Sequence, residues 1–231
     1  MMNMSHRRVT AAASGVNLVY NLDAANYSAV PTNGNVVSGY TLTVSNTNSR
    51  ISWNSANGGI FRSTYVGDSM GDYISGGPDY SSGTQDYTIF VAYKLATSTT
   101  GRLFNTNNEA NGDFVCGGYN GHPSVYYSNG VAINLSSAPV DTVWHLDWLT
   151  FNKTTTVGNI YSATISQPTS TPTYTATSGA IRGFNQLRLF NRASGTEAHP
   201  ADVGVIKVWD GPLTITDIQT EYATYKTRFG Y

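Results

Sequence analysis

The sequence predicts an all-β protein, a large antiparallel sandwich with one short helix near its C-terminus, and three observations support this. Ser, Thr and Asn together make up 73 of the 231 residues, beside 23 Gly and 16 Tyr, a composition typical of strands and turns. About a dozen short β-branched or aromatic runs follow one another between turn-forming residues. No helical pattern separates these runs, which argues against an alternating α/β fold.

The predicted strands follow in chain order, each bounded by Gly, Asn, Asp, Ser or Pro. In the first half of the chain they cover residues 16–22, 40–44, 60–66, 73–75, 87–95 and 102–105. In the second half they cover residues 113–117, 124–128, 143–152, 159–165, 186–191 and 203–209. The pair Asn129-Gly130 between two apolar runs also predicts a two-residue hairpin turn.

The strand predicted at 143–152 has the clearest alternation. Trp144 and Trp148 share one face, so we expect both rings in one core. His145 and Asp147 share the opposite face, about 6.6–7 Å apart along the strand, which is too far for a direct hydrogen bond. We therefore expect His145 to be a partly buried strand residue bonded to a neighbouring strand rather than a catalytic base.

One helix is predicted at the C-terminal end of the chain. Thr214 and Asp217 have the spacing of a capping box, and Pro212 stands just before them. The apolar stripe that follows falls at helical spacing and consists of Ile218, Tyr222, Tyr225 and Phe229. Gly230 provides the stop, so we expect this helix to pack its stripe onto the sandwich.

Composition excludes several classes of protein. With 13 Lys and Arg against 14 Asp and Glu, the net charge of −1 argues against non-specific nucleic-acid binding. No run approaches the 18 or more apolar residues of a membrane helix, so we expect no membrane insertion. The single cysteine, Cys116, excludes an intrachain disulfide and a Cys-based zinc site, and we expect it to be a small buried apolar residue.

The chain is expected to consist of an N-terminal arm, residues 1–15, and one domain, residues 16–231. The arm has few apolar side chains and no periodicity, so it cannot form a core of its own. Its adjacent Arg7 and Arg8 favour an acidic partner surface through charge-assisted hydrogen bonds. If ordered, the arm must lie against another surface, either this chain's own sandwich or a neighbouring protein, and the alternative is a frayed tail. We expect it to anchor the domain to another protein.

Four segments in order resemble a known superfamily. They are residues 18–26 (LVYNLDAAN), 65–74 (YVGDSMGDYI), 143–152 (VWHLDWLTFN) with 159–165, and 205–230 (VIKVWDGPLTITDIQTEYATYKTRFG). Together they resemble the concanavalin A-like lectin/glucanase superfamily, and within it the laminin-G-like domains of bacteriophage structural proteins. The resemblance implies a jelly roll of two antiparallel sheets with a short C-terminal helix. It also implies a hairpin at 65–74, although Gly67-Asp68 inverts the usual order.

Catalytic chemistry on such a fold requires carboxylates that this sequence does not supply in the right pattern. A retaining glycosidase needs two carboxyl groups about 5–5.5 Å apart, and the family places them at i and i+4 of one strand. The only glutamates are Glu109, Glu197 and Glu221, and no Glu-x-Asp-x-Glu occurs. The Gln-x-His of a lyase is also absent. We therefore expect no enzyme activity.

Two kinds of binding site remain. Asp68, Asp72 and Asp79 lie in one Gly-rich stretch, but their spacing matches no calcium loop, so we expect turn formers and neither a metal nor another cofactor. Sugars are held by an aromatic face and a few directional polar groups. The candidates for such a saccharide site are Tyr119, Asn120, His122, Tyr126 and Tyr127, with Trp53 and Asn54 in another polar loop.

From these observations we expect a non-catalytic structural protein at the surface of a bacteriophage or related virus particle, on the capsid or tail. It would be oligomeric in the particle, with other virion proteins as partners through the arm and host-surface polysaccharide as a second partner. The alternative is a carbohydrate-binding adhesin not tied to a virion. A third class is a polysaccharide-degrading enzyme.

Overall fold

Two antiparallel sheets pack face to face in the computed structural model, and a C-terminal helix covers the outer face of one of them. The expected β-sandwich with a C-terminal helix is therefore confirmed. The structure describes residues 15–65, 70–80, 85–96, 101–106, 115–119, 122–128, 131–134, 143–155, 157–163, 167–176, 184–191, 198 and 200–231. The expected arm, with Arg7 and Arg8, lies outside the described residues apart from Gly15.

The described strands are short, as the sequence predicted. In chain order they are β1 (Leu18–Asp23), β2 (Val36–Val37), β3 (Tyr40–Thr41), β4 (Thr43–Ser45), β5 (Ile51–Asn54), β6 (Ile60–Ser63), β7 (Tyr73–Asp79), β8 (Tyr87–Leu95), β9 (Gly101–Thr106), β10 (Val115–Tyr119), β11 (His122–Ser128), β12 (Val131–Asn134), β13 (His145–Asn152), β14 (Val157–Ala163), β15 (Tyr174–Ala176), β16 (Asn185–Leu189) and β17 (Ala201–Trp209). The helix α1 covers Ile215–Phe229, and short 3₁₀ turns cover Ala24–Asn26 and Ala56–Gly58.

Strand pairing defines a main sheet and a second sheet. The main sheet has the order β15-β14-β13-β8-β17-β6-β5. The first part of β17, residues 201–203, pairs with β6, and its second part, residues 205–209, pairs with β1. The second sheet has the order β12-β11-β10-β9-β16-β7-β4, while β2 and β3 form a separate small hairpin. Because β4 leads directly into β5, the β4 edge of the second sheet lies beside the β5 edge of the main sheet.

The main sheet has apolar residues on both faces, and each face has its own core. The inner face packs on the second sheet through large side chains such as Phe61, Tyr87 and Leu149. The outer face packs under α1 through residues such as Phe90 and Trp209. A strand buried on both sides needs apolar residues at successive positions, which explains the unbroken run YTIFVAYKL in β8.

Strand β13 follows the predicted alternation. Trp144, just before the strand, and Trp148 both belong to the core under α1, with 8% and 0% of their surfaces exposed. Leu149 and Phe151 belong to the core between the sheets. The prediction that the two tryptophans are buried on one face is therefore confirmed.

Helix α1 begins and ends where the sequence predicted. The Thr214 side chain accepts a hydrogen bond from the Asp217 backbone N–H, and the Asp217 carboxylate accepts one from the Thr214 backbone N–H. Gly230 ends the helix in the left-handed region, at φ 89°. Near this end the Phe229 ring fills the space beside Gly204, where a Cβ would come within 2.5 Å of the ring. None of the helices in the described residues has the length and apolar character needed to cross a membrane.

Three local predictions are corrected. The run 40–44 is divided between β3 and β4, which belong to different sheets. The segment 65–74 is not a hairpin, because it leaves β6 in the main sheet and enters β7 in the second sheet. Trp53 lies in edge strand β5 rather than in a loop, because the short polar run ISWN carries little strand signal.

The hairpin predicted at Asn129-Gly130 agrees with the strand pairing. Ser128 of β11 pairs with Val131 of β12, which leaves two residues to connect the strands. Asn129 and Gly130 themselves lie outside the described residues.

Candidate functional site

Two of the residues predicted to bind a saccharide lie at one end of the second sheet. Tyr119 ends β10, His122 begins β11, and the two are cross-strand partners. Asn120 lies outside the described residues. Gly101, where the connection from β8 enters β9, pairs with Gly118, so that connection reaches the same end of the sheet. Loops at the end of a sandwich commonly carry binding residues because a rigid scaffold holds them.

The strand register separates the two neighbouring tyrosines of β11. Tyr126 pairs with Cys116, which pairs with Phe104 of β9, and Phe104 pairs with Leu189 of β16. Tyr126 thus shares its cross-strand row with Leu189, a residue of the core between the sheets. Tyr127 belongs to the adjacent row. The role predicted for Tyr126 in saccharide binding stays a prediction.

Trp53 is not brought together with the other saccharide candidates. It lies in the edge strand β5 of the main sheet, on the side of the sandwich where β4 lies, whereas β10 and β11 lie towards the β12 edge. Its indole Nε1 donates a hydrogen bond of 2.9 Å to the Ala24 carbonyl oxygen, and its ring is half-buried. The contact ties β5 to the turn after β1.

His145 and Asp147 belong to a buried polar network of three strands. The Asp147 carboxylate accepts hydrogen bonds from Tyr93 Oη at 2.8 Å and from Ser162 Oγ at 2.6 Å. The His145 ring stacks on Tyr93, with ring centroids 5.1 Å apart. His145 is 4% exposed, and Asp147 and Tyr93 are fully buried. The network connects β8, β13 and β14 and offers no group to a ligand in solvent.

The aspartates of the Gly-rich stretch do not lie together. The buried Asp72 carboxylate accepts hydrogen bonds from the backbone N–H groups of Asn48 and Arg50, so it holds the turn between β4 and β5. Asp79 ends β7, seven residues further on and about 23 Å away along an extended strand. Asp68 lies outside the described residues. Asp72 thus stabilises a turn 22–24 residues earlier in the chain rather than a turn of its own Gly-rich stretch, which corrects the expected role.

The remaining carboxylates with resolved contacts also hold structure together. Glu221 of α1 accepts a hydrogen bond of 2.6 Å from Lys207 Nζ of β17. Burial alone would lower the pKa of Lys207. The neighbouring Tyr225 and Glu221 raise it by more, so the pKa of Lys207 lies above its ordinary value. Glu109 and Glu197 lie outside the described residues, so the predicted absence of a carboxylate pair stays a prediction. Cys116 lies in strand β10.

Two arginines form ion pairs with aspartates that are far away in sequence, and no local sequence pattern predicts these pairs. Arg228 at the end of α1 donates to Asp23 at 2.8 Å and to the Asn57 and Gly59 carbonyl oxygens. Arg62 forms a two-pronged pair with Asp202 across β6 and β17, which raises the pKa of Arg62 through the side-chain hydrogen bond to Asp202. Their sequence separations of 205 and 140 residues leave no local signal.

Comparison with known sequences identifies no relative: no family model and no curated protein matches the chain. Solved structures do share its fold. The binding domain of Paraclostridial Mosquitocidal Protein 1 superposes with a TM-score of 0.62 at 12% identity, over 90% of this chain and 52% of that one. The receptor binding domain of botulinum neurotoxin type G superposes with a TM-score of 0.59 at 11% sequence identity, over 90% of this chain and 51% of that one.

A third solved structure is similar to this chain over almost its whole length. It is domain 4 of AbnA, a GH43 extracellular arabinanase from Geobacillus stearothermophilus, in complex with arabinotriose. The TM-score is 0.59 at 13% identity, over 89% of this chain and 98% of that domain. The chain therefore spans about half the length of the toxin binding domains and nearly all of the arabinanase domain. These neighbours are β-sandwich binding domains, and at such identities the likeness shows the fold.

Proposed function

We propose that this chain is a non-catalytic carbohydrate-binding module. The observation that carries the proposal is the likeness to domain 4 of AbnA, a unit of nearly the same extent whose structure contains arabinotriose. In the binding domains of the two toxins, a sandwich of the same fold makes up about half of the chain. Binding without chemistry is therefore the role that recurs among these neighbours.

The side chains of this protein suit that role better than catalysis. The described carboxylates with resolved contacts are engaged in caps, turns and ion pairs, among them Asp72, Asp202 and Asp217. Hydrolysis of a glycoside would need two carboxyl groups facing a substrate. Ser, Thr and Asn, whose side chains carry neutral hydroxyl and amide groups, make up 73 of the 231 residues, and such groups exchange hydrogen bonds with sugar hydroxyls at a lower desolvation cost than charged groups. The proposal replaces the virion role as the preferred function.

The test is binding to a panel of neutral and acidic polysaccharides that includes arabinan. We expect retarded migration of the native chain in gels containing the preferred polysaccharide, a titratable affinity for its oligosaccharides, and no release of reducing sugar. Domain 4 of AbnA with arabinotriose provides the positive control. The heat-unfolded chain provides the negative control. If the native chain binds no polysaccharide of the panel while the positive control binds, the proposal is wrong.

A role at a virion surface is the second candidate, favoured by the ordered segments 18–26, 143–152 with 159–165, and 205–230, which resemble phage laminin-G-like domains, whereas 65–74 does not form the hairpin that the resemblance implied. One of them corresponds to β1 and its 3₁₀ turn, and another to β17 with α1. This candidate differs in where the chain is found. A virion protein is present in purified particles at a fixed copy number, whereas a secreted or enzyme-attached module is not.

A further inference from the structure

We infer that a cleft between the start of α1 and the loop after β14 is a binding site for a neutral saccharide. The cleft has a volume of about 470 Å³ and is lined by Gln167, Pro168, Thr169, Ser170, Ile215 and Gln219. The inference rests on the proposed function and locates it on this chain. The cleft lies on the helix-covered side of the main sheet, away from the β10–β11 end that the sequence predicted.

The lining offers neutral hydrogen-bonding groups to a sugar and, unlike the residues selected from the sequence, no aromatic face. Two amides and two hydroxyls supply both donors and acceptors, as the hydroxyl groups of a sugar do. The partly exposed Ile215 supplies apolar surface for the C–H groups of a sugar ring, whereas Pro168 is buried and contributes its backbone carbonyl to the Gln219 contact. The lining residues, all in the described part of the chain, include no charged side chain. An anionic saccharide would therefore lose hydration without gaining an ionic partner.

The walls of the cleft are held in place before any ligand arrives. Gln219 Nε2 donates a hydrogen bond of 2.9 Å to the Pro168 carbonyl oxygen, which joins the two walls. On the loop, Thr173 Oγ1 accepts a hydrogen bond of 3.1 Å from the Ser162 backbone N–H. On the helix, the capping box of Thr214 and Asp217 fixes the first turn. A preorganised site loses little conformational entropy on binding.

Gln219 keeps hydrogen-bonding capacity beyond that contact. Its amide has a second N–H and a carbonyl oxygen, enough to bind two neighbouring hydroxyls of one sugar. The exposed Thr169 and Ser170 on the facing loop add hydroxyl groups at the mouth of the cleft. The cleft is shallow and open to solvent, so it would hold one part of a saccharide and leave the rest in water. A short oligosaccharide is therefore the expected ligand.

The test compares variants of the full chain on the polysaccharide that the native protein binds. We expect Gln219→Ala to weaken binding of its oligosaccharide at least tenfold. Ser170→Tyr, which fills the cleft from an exposed position, should do the same. The matched control is Thr171→Tyr on the adjacent exposed residue outside the lining, with unchanged affinity expected. Thermal melting of each variant shows that the fold is kept.

The outcomes separate this inference from the proposed function. If the native chain binds a saccharide and Ser170→Tyr binds it equally well, the cleft is not the site and the proposed function stands. Loss of binding in Tyr119→Ala but not in Gln219→Ala would move the site to the β10–β11 end. Equal binding of neutral and acidic oligosaccharides would contradict the uncharged-cleft argument. If the native chain binds none, the proposed function itself is wrong.

Discussion

At the scale of single residues, the buried carboxylate of Asp147 is satisfied by partners that are distant in sequence. Asp147 of β13 accepts hydrogen bonds from Tyr93, 54 residues earlier, and from Ser162, 15 residues later. A buried carboxylate without such partners would cost several kcal/mol. These contacts explain why His145 and Asp147, which lie on one strand face, form part of a structural network instead of a catalytic pair.

The deeply buried Trp148 provides the residue-scale prediction. Its ring is fully buried and stacks on Phe90, with centroids 4.7 Å apart, in the core under α1. Truncation in Trp148→Ala should therefore lower the free energy of unfolding by about 3–5 kcal/mol, measured by urea denaturation. The control is Val143→Ala, because the Val143 side chain is 43% exposed. We expect its free energy of unfolding to stay within about 0.5 kcal/mol of that of the native chain. A similar loss in both variants would contradict the core assignment.

At the scale of elements, α1 is fixed to the main sheet along its whole length. Leu213, just before the helix, donates its backbone N–H to Thr88 Oγ1 of β8 at 2.9 Å, and the Lys207–Glu221 ion pair holds the middle. Arg228 ties the last turn to Asp23 of β1 and to the turn after β5. The buried stripe lies between these contacts. The helix therefore belongs to the core of the protein and is no detachable appendage.

The capping box of α1 gives the element-scale prediction. Replacement in Thr214→Ala removes the oxygen that accepts from the Asp217 N–H and leaves a donor of the first turn unsatisfied. We expect a loss of about 0.5–2 kcal/mol in the free energy of unfolding. Thr220→Ala on the exposed face of the same helix is the matched control and should be neutral or slightly stabilising. Equal effects of the two variants in denaturant titrations would show that the cap contributes nothing.

At the scale of the whole molecule, the sandwich buries tyrosines whose hydroxyls then ionise less readily. Burial raises the pKa of Tyr20 and of Tyr87 well above the ordinary value, and it raises the pKa of Tyr80 to about 12. Above pH 10 the unfolded chain releases these protons while the folded chain keeps them. Stability therefore falls as pH rises through that range. The raised pKa of Lys207 acts in the same direction.

Alkaline unfolding is the prediction at this scale. Between its unfolded and folded pKa, each such tyrosine removes about 1.4 kcal/mol of stability per pH unit. We expect the melting temperature to stay level near neutral pH and to fall steeply above pH 10, measured by calorimetry. Tyr20→Phe removes one of these groups, so the fall above pH 10 should be shallower by the contribution of one tyrosine. An unchanged slope in Tyr20→Phe would contradict the argument.

Some of the candidate site could be predicted from the sequence, and some could not. The segment that carries Tyr119 and His122 stands out in the sequence because it has aromatic and polar residues near a turn, and its role in saccharide binding stays a prediction. Trp53 was misplaced because a four-residue edge strand has almost no periodic signal. The cleft at Gln219 was missed because its two walls are about 50 residues apart in sequence and contain no aromatic residue.

The sequence by itself determined the strand composition, the two-faced burial of β13 and the exact extent of α1. These features are local, because alternation, caps and turn residues act within a few positions of the chain. Only the tertiary structure decided which sheet each strand joins, where 40–44 divides, and that 65–74 crosses between sheets. It also decided which polar residues bind one another and where the cleft opens. Such choices depend on burial and pairing between segments far apart in sequence, which no local pattern specifies.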